Sequence, residues 1–488
     1  MLKRFLLVLL ILVMLLPACA GNEAQKFETI KAGEAENIDT TTGRLQPNIP
    51  SNINYNGDTF MFLVTGPEYG AGYYETKDVF SEAQDGETLN DAVYMRNRAV
   101  EDKLNINIAE FKSRDVKGTA RKSISSGDKE YDAIFTPMYE CAALAQEKIL
   151  LDIKEVPYIN LDKPWWDKAT AGELAIRNKL YYTTGEISTA VKSGVYMVIF
   201  NKYLMEEYKI GNPYDNVKNE TWTFDVYAQM VKSLYVDVNG NGERDDEDIY
   251  GSLMNTYDPF FFTIGFGGRY TTNDAEGYPQ ITVDSELVFT AVDKIWDLYY
   301  DFGSARYLSE LKLTGDYSNV FTYYRRGLFA SDKFLFILGL PLVFHEFRDM
   351  ESNFGLLPMP KYDEKQTRYY HTIDYTVVML CLPITCDAEK SGIVLEAMAA
   401  ESMYTLSPAF GETLLLRKYI RDDESEFVLD IVNKSRVYDL SIIFSWGGLG
   451  NVIQATTAGK NRNLASEIQK IYDRALTEIE KTVTAFEE

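Results

Sequence analysis

TFMFLV, Thr59 to Val64, is an unbroken apolar run. A strand that faces water on one side alternates apolar and polar residues, so a run apolar on both faces belongs inside a parallel sheet covered by helices on each side. Downstream, ETLNDAVYMRNRAVEDKL (87–104) gathers Leu89, Ala92, Val93, Ala99, Val100 and Leu104 on one helical face, with Asn, Arg and Glu elsewhere. INIAEF (106–111) reads as a second strand and YDAIFT (131–136) as a third. A β-α-β-α-β opening places the chain in the α/β class.

Two later runs, GVYMVIFNK (194–202) and DYTVVMLCLP (374–383), have the same buried-strand texture. Asp387 then stands as the N-cap of a helix that runs through Ala399. A closing helix is expected from Leu464, Ile468, Ile471, Ala475, Ile479 and Val483, which repeat at helical spacing. The roughly 430 residues from Asp58 onward exceed what one hydrophobic core usually holds, so two lobes are expected.

The chain starts MLKRFLLVLLILVMLLPACAGN, in which Lys3 and Arg4 precede an apolar run from Phe5 to Leu16 that is short for a membrane span. Residues 1–18 read as an export signal. The small residues before Cys19 resemble the lipobox of bacterial lipoproteins, which would make Cys19 the lipid-bearing residue; the alternative is an ordinary signal with an incidental cysteine. Residues 19–57 carry little apolar surface and read as a tether, and the implied location is extracytoplasmic, lipid-anchored to the cell membrane.

A net charge of -24 argues against nucleic acid as a partner, because a phosphate backbone needs a basic footprint. Only two histidines, His345 and His371, occur, which leaves little material for histidine triads or multi-histidine metal sites. No H-E-x-x-H, G-x-S-x-G or P-loop pattern is present, so the enzymatic alternative is a glycoside hydrolase working through a carboxylate pair. Beyond Cys19 there are Cys141, Cys381 and Cys386, expected as free thiols, with a Cys381–Cys386 bridge as the alternative.

DVNGNGERDDED (237–248) has the spacing of a calcium loop. Asp237, Asn239 and Asn241 place oxygens at alternate positions, Gly242 turns the chain, Glu243 offers its carbonyl and Asp248 closes the loop. A structural calcium is the expectation, although Asp248 stands where a bidentate glutamate is usual and Arg244 where an apolar anchor is; a solvated acidic turn is the alternative. No cofactor for activity is expected.

Taken in order, the Cys19 lipobox, LNDAVYMRNRAVEDKLNI, YDAIF followed by LLDIKEVPYINLDKPWWD, VIFNKYLMEEY, TWTFDVYAQMVKSL leading into the D-x-N-x-N-G loop and IYG, and FGLLPMPKYDEKQTRYY resemble the extracellular solute-binding proteins of ABC importers. The resemblance is to the sugar-binding group that includes the maltose-binding protein. It implies a two-lobed periplasmic-binding-protein-like fold, each lobe a sheet flanked by helices, with the ligand caught in a cleft between them. It further implies lobe one as 58–195 and 372–438, lobe two as 196–371 and 439–488, crossings near 194–201, 370–376 and 438–445, and final helices packed on the second lobe. The implied protein is a monomer with no enzymatic activity, capturing a carbohydrate for an ABC permease; a polyamine or peptide ligand is the alternative on the same fold.

A sugar ring presents apolar C–H faces and a rim of hydroxyls, so its site calls for aromatic plates beside carboxylates and amides. Loops at the carboxyl ends of parallel strands are the favoured places. Those loops supply Tyr69 and Tyr73 after the first strand and Tyr139 and Glu140 after the third. Glu186 and Asp374 stand near the crossings, and Tyr257 and Asp258 in the second lobe. The resemblance implies that Trp446 stacks on sugar.

Overall fold

The computed structural model describes residues 37–72, 74–300, 303–317, 319–416 and 422–487. These fall into two compact units, one ending at Gln46 and the other running from Pro47 to Glu488. In the first, an Ile38↔Leu45 bridge closes a turn around Asp39 within what the sequence suggests is an unstructured tether. The signal and Cys19 lie outside the described residues.

In the body, the first sheet joins β1 (Asp58–Thr65), β2 (Ile106–Ser113), β3 (Ala133–Pro137), β4 (Tyr182–Thr183) and β14 (Val378–Cys381), in the order β2-β1-β3-β14-β4. The TFMFLV run is the sheet's interior: β1 pairs in parallel with β2 on one side and β3 on the other, and Phe60, Phe62, Leu63 and Val64 are fully buried. Burying each such side chain is worth about 1.5–3 kcal/mol. The helix Thr88–Leu104 covers this sheet with Ala92, Val93, Val100 and Leu104, as its pattern predicts.

That helix departs from its pattern at one turn: Ala99 is exposed, while Arg96 and Asn97 are buried. The Arg96 guanidinium donates to the carbonyls of Asp78 (2.9 Å), Val79 (2.6 Å) and Ile187 (3.1 Å), so a charged side chain is spent on backbone groups that no strand or helix satisfies. Burial pulls its pKa down to about 10.

The second sheet contains β5 (Met197–Asn201), β6 (Tyr235–Val236), β7 (Ile249–Met254), β10 (Ala305–Tyr307), β11 (Phe334–Gly339) and β12 (Phe354–Leu357), ordered β10-β7-β11-β5-β12 with β6 on β7. β10, β7 and β11 run parallel and β5 antiparallel to both its neighbours. Every residue of β5, β11 and β12 is buried. A hairpin of β8 (Thr271–Asn273) and β9 (Pro279–Ile281) stands apart.

Three crossing segments lie side by side between the sheets. Val195 bridges Ile373, with the Asp374 N–H on the Gly194 carbonyl at 2.9 Å. β13 (His371–Thr372) pairs in parallel with β15 (Arg436–Val437). Gly194 is required there, since a Cβ would come within 2.1 Å of Val377 Cγ1. The domain boundaries expected from sequence differ from this picture at the end of the chain. The helix Asp423–Lys434 packs on β12 of the second lobe, and the closing helix Leu464–Glu487 packs on the first-lobe helix Met138–Gln146. A bond from Gln146 Nε2 to Thr482 Oγ1 (2.7 Å) and the Tyr181–Phe486 ring contact (4.7 Å) hold the closing helix there. Cys141, Cys381 and Cys386 are free thiols.

Candidate functional site

β1 and β3 end on the same side of the first sheet, and the loops that follow them supply the first-lobe half of the site. Tyr69 and Tyr139 share a hydroxyl–hydroxyl bond of 2.8 Å, and the Tyr69 hydroxyl donates to Glu140 Oε1 at 3.0 Å. Glu140 Oε2 accepts from Thr136 at 2.6 Å, so both oxygens of a 6 % exposed carboxylate are engaged by hydroxyls. Burial first, then the bond to Tyr139, pushes the Tyr69 phenol far above its ordinary pKa. Tyr74 folds back over the loop because Gly70, at φ +55°, has no Cβ to meet its ring.

At the crossings, Asp374 Oδ1 accepts from the Thr376 backbone (2.8 Å) and hydroxyl (2.5 Å), and Oδ2 from the Tyr196 hydroxyl (3.3 Å). Tyr196 stacks on Phe261 at 3.6 Å, and Tyr375 meets Tyr139 edge-on at 5.9 Å. The Tyr375 phenol is pushed up to about 12, by burial first and then by Tyr257 and Asp374 beside it.

The second lobe contributes the loop after β7. Tyr257 is half-buried, and Asp258 opens the helix Asp258–Gly265. Asp258 is 4 % exposed, accepts from the Asn255 N–H at 2.8 Å, and burial raises its carboxyl to about 8, so it is mostly protonated at neutral pH. Tyr324 and Arg325 belong to a π-helical segment, Tyr323–Leu328, an arrangement that recurs at functional sites. Arg325 is close enough to lower the pKa of the first-lobe Tyr74, behind the larger upward effects of burial and Asp374.

Of the residues expected from sequence, Tyr69, Tyr139, Glu140, Asp374, Tyr257 and Asp258 are thus drawn together; Tyr73 lies outside the described residues. Trp446 is a correction. It is 1 % exposed, stacked on Phe444 at 4.8 Å with its indole N–H on Thr482 Oγ1 at 2.8 Å, because the closing helix packs over it. No ring face is left for a sugar. Glu186 is a second correction: it binds Lys192 Nζ at 2.5 Å and the Ser407 hydroxyl, lining a separate cavity of about 140 Å³ with Asp167 and Arg436. Tyr196, Phe261, Tyr324, Arg325 and Tyr375 were not picked out as site residues. Tyr196 and Tyr375 sit within the quoted strand runs, but nothing in the sequence sets Tyr324 and Arg325 apart.

In the 237–248 loop, Asp237 Oδ1 and Oδ2 accept from the Gly240 (2.8 Å) and Gly242 (2.9 Å) N–H groups. The amides of Asn239 and Asn241 donate to Asp245 Oδ2 at 3.1 and 2.9 Å. Asp248 corrects the expected ligand set: it is fully buried and turned toward the lobe, accepting from Val238 N–H (3.2 Å) and the hydroxyls of Tyr235 (3.1 Å) and Tyr250 (3.3 Å). No group of three or more His, Cys, Asp or Glu placed to hold a metal occurs among the described residues.

The fold is that of two-lobed solute-binding proteins. With a TM-score of 0.56 and 15 % identity, 88 % of this chain matches 97 % of a cyclo/maltodextrin-binding protein complexed with maltotetraose. A TM-score of 0.52 and 12 % identity relate 88 % of it to all of an ABC substrate-binding protein from Listeria monocytogenes in complex with cycloalternan. The maltose/maltodextrin-binding domain of Bdellovibrio bacteriovorus bound to maltotriose matches over its full length and 87 % of this chain, with a TM-score of 0.51 and 14 % identity. No family model matches the sequence, and no curated protein does either.

Proposed function

We propose that this protein captures a carbohydrate, an oligosaccharide by the extent of the aromatic lining, and hands it to an ABC permease without making or breaking a bond. The observation that carries this reading is the state of the site's acids. Glu140 and Asp374 are already filled by tyrosine and threonine hydroxyls, and Asp258 is mostly protonated at neutral pH. Carboxylates in that state orient hydroxyls rather than wait for an ammonium group, which favours a hydroxyl-rich ligand over a polyamine. The neighbouring structures, whose ligands are saccharides, support the same choice.

A thermal-shift screen tests it, because a ligand that binds only the folded state raises the melting temperature. Stabilisation by oligosaccharides and not by polyamines or peptides is the expected outcome. Stabilisation by a polyamine alone would replace the reading, and release of reducing ends from an oligosaccharide would favour a hydrolase.

The lipobox-like segment supports an extracytoplasmic protein held to the membrane through Cys19. No helix among the described residues is long and apolar enough to cross a membrane. Cys19→Ala should move the protein from the membrane fraction to the medium or periplasm. We further propose that the 237–248 loop takes calcium through Asp237, Asn239, Asn241 and the Glu243 carbonyl, a set of hard oxygen donors, with Asp248 as the anchor to β6 and β7.

A further inference from the structure

We propose that Glu346 sets the ligand class of the cleft: by holding Arg325 in a two-point ion pair it cancels the positive charge that Arg325 brings to the site, so that neutral saccharides are taken and carboxylated ones refused. This rests on the saccharide reading above and deepens it. Arg325 is 8 % exposed, and its Nε and Nη2 meet Glu346 Oε2 and Oε1 at 2.5 and 2.9 Å. The guanidinium lies over the Tyr324 ring, 5.3 Å from its centroid. Glu346 itself is 7 % exposed, on the short helical segment Pro341–Phe347 that follows β11.

An unpaired guanidinium in such a place would be a carboxylate receptor, since its fork matches a carboxylate at two points. Glu346 occupies that fork from within the chain. The bidentate pair leaves Arg325 as half of a neutral ion pair rather than as a free cation. With the Arg325 charge cancelled, Glu140 and Asp374 leave the site acidic, and a uronate entering it would meet like charge at short range. Tyr324 and Arg325, consecutive residues of the π-helical segment, are both buried, the ring beside the cation.

The test compares a neutral gluco-oligosaccharide with an oligogalacturonide of matched length, by calorimetry at low ionic strength, on wild type and Glu346→Gln. Wild type should bind the neutral probe and not the acidic one. Glu346→Gln, with its fork partner uncharged, should gain oligogalacturonide binding by about tenfold or more. Added salt should weaken that gain, and Arg325→Met in the same background should abolish it. A folded Glu346→Gln protein that gains nothing overturns the proposal. So does wild type binding both probes alike, a result that needs no variant to fold. Binding of a polyamine or peptide and of neither saccharide would instead remove the saccharide reading itself.

Discussion

His371 and Glu396 are both fully buried, and burial moves their pKa values in opposite directions. His371 falls to about 3 because burial removes the water that would solvate a charged imidazole. Its Nε2 accepts the Met359 N–H at 2.9 Å, which leaves Nδ1–H to donate to Ser435 Oγ at 2.7 Å. Glu396 rises to about 7 through burial, against the indole N–H of Trp166 at 2.7 Å and the Asn160 N–H at 3.3 Å. A raised carboxyl contributes stability that is complete below its unfolded pKa and is lost as pH rises through the folded value. For Glu396 that window runs from about 4.5 to about 7, and the loss is on the order of 3 kcal/mol. His371 acts in the reverse sense, with stability complete above about 6.5 and lost as pH falls toward 3. Glu396→Gln keeps an acceptor for Trp166 and cannot ionise. Its melting temperature relative to wild type should therefore climb between pH 5 and pH 8; a constant difference across that range would place the Glu396 titration elsewhere. Trp446 yields a second residue-scale outcome: Trp446→Ala should cost about 3–5 kcal/mol of stability, as loss of a core aromatic does, and Trp446→Phe should leave saccharide affinity unchanged. The sequence shows that Trp446 is a large amphipathic plate, but not that the closing helix lies across it.

At the scale of elements, what could be read in advance is what depends on local pattern. β1, β3, β5 and β14 were visible because a strand covered on both faces has to be apolar throughout, and the helix from Ala388 because Asp387 caps it, accepting the Lys390 N–H at 3.1 Å. Arg96 and the Tyr323–Leu328 segment were not visible, since both are decided by long-range partners: the carbonyls of Asp78 and Ile187 for one, Glu346 for the other. The 237–248 loop falls between these cases. Its turn chemistry is local and was legible, whereas the inward rotation of Asp248 follows from Tyr235 and Tyr250 on the strands beneath it. Calcium should raise the melting temperature of chelator-treated protein, and Asp237→Ala should remove that increment. Asp248→Ala should lower stability with or without the ion, by about 1–3 kcal/mol, because it takes the acceptor from the Val238 N–H and from the Tyr235 hydroxyl. If calcium produces no shift in wild type, the loop is a turn held by its own hydrogen bonds.

Across the whole molecule, the candidate site is divided: Tyr69, Tyr139 and Glu140 belong to one sheet's loops, Tyr257, Asp258 and Arg325 to the other's, and Asp374 and Tyr196 to the crossings between them. Two lobes followed from chain length, but pairing loops across the lobes needs the path of the crossings, which local pattern does not carry. A ligand that touches both halves binds the closed arrangement better than the open one, and can bias the equilibrium only by that difference in affinity. Saturating oligosaccharide should therefore reduce the radius of gyration measured by X-ray scattering and raise the melting temperature together. Tyr139→Ala removes the edge contact to Tyr375 and the hydroxyl bond to Tyr69, together worth about 1–3 kcal/mol. It should weaken binding by roughly tenfold to a hundredfold. At ligand concentrations that saturate the variant the contraction should return in full, because the crossings through Gly194, His371 and Arg436 are untouched. Contraction absent in wild type at saturation would mean that the lobes do not close on the ligand, and the division of the site between them would then be a feature of a rigid groove.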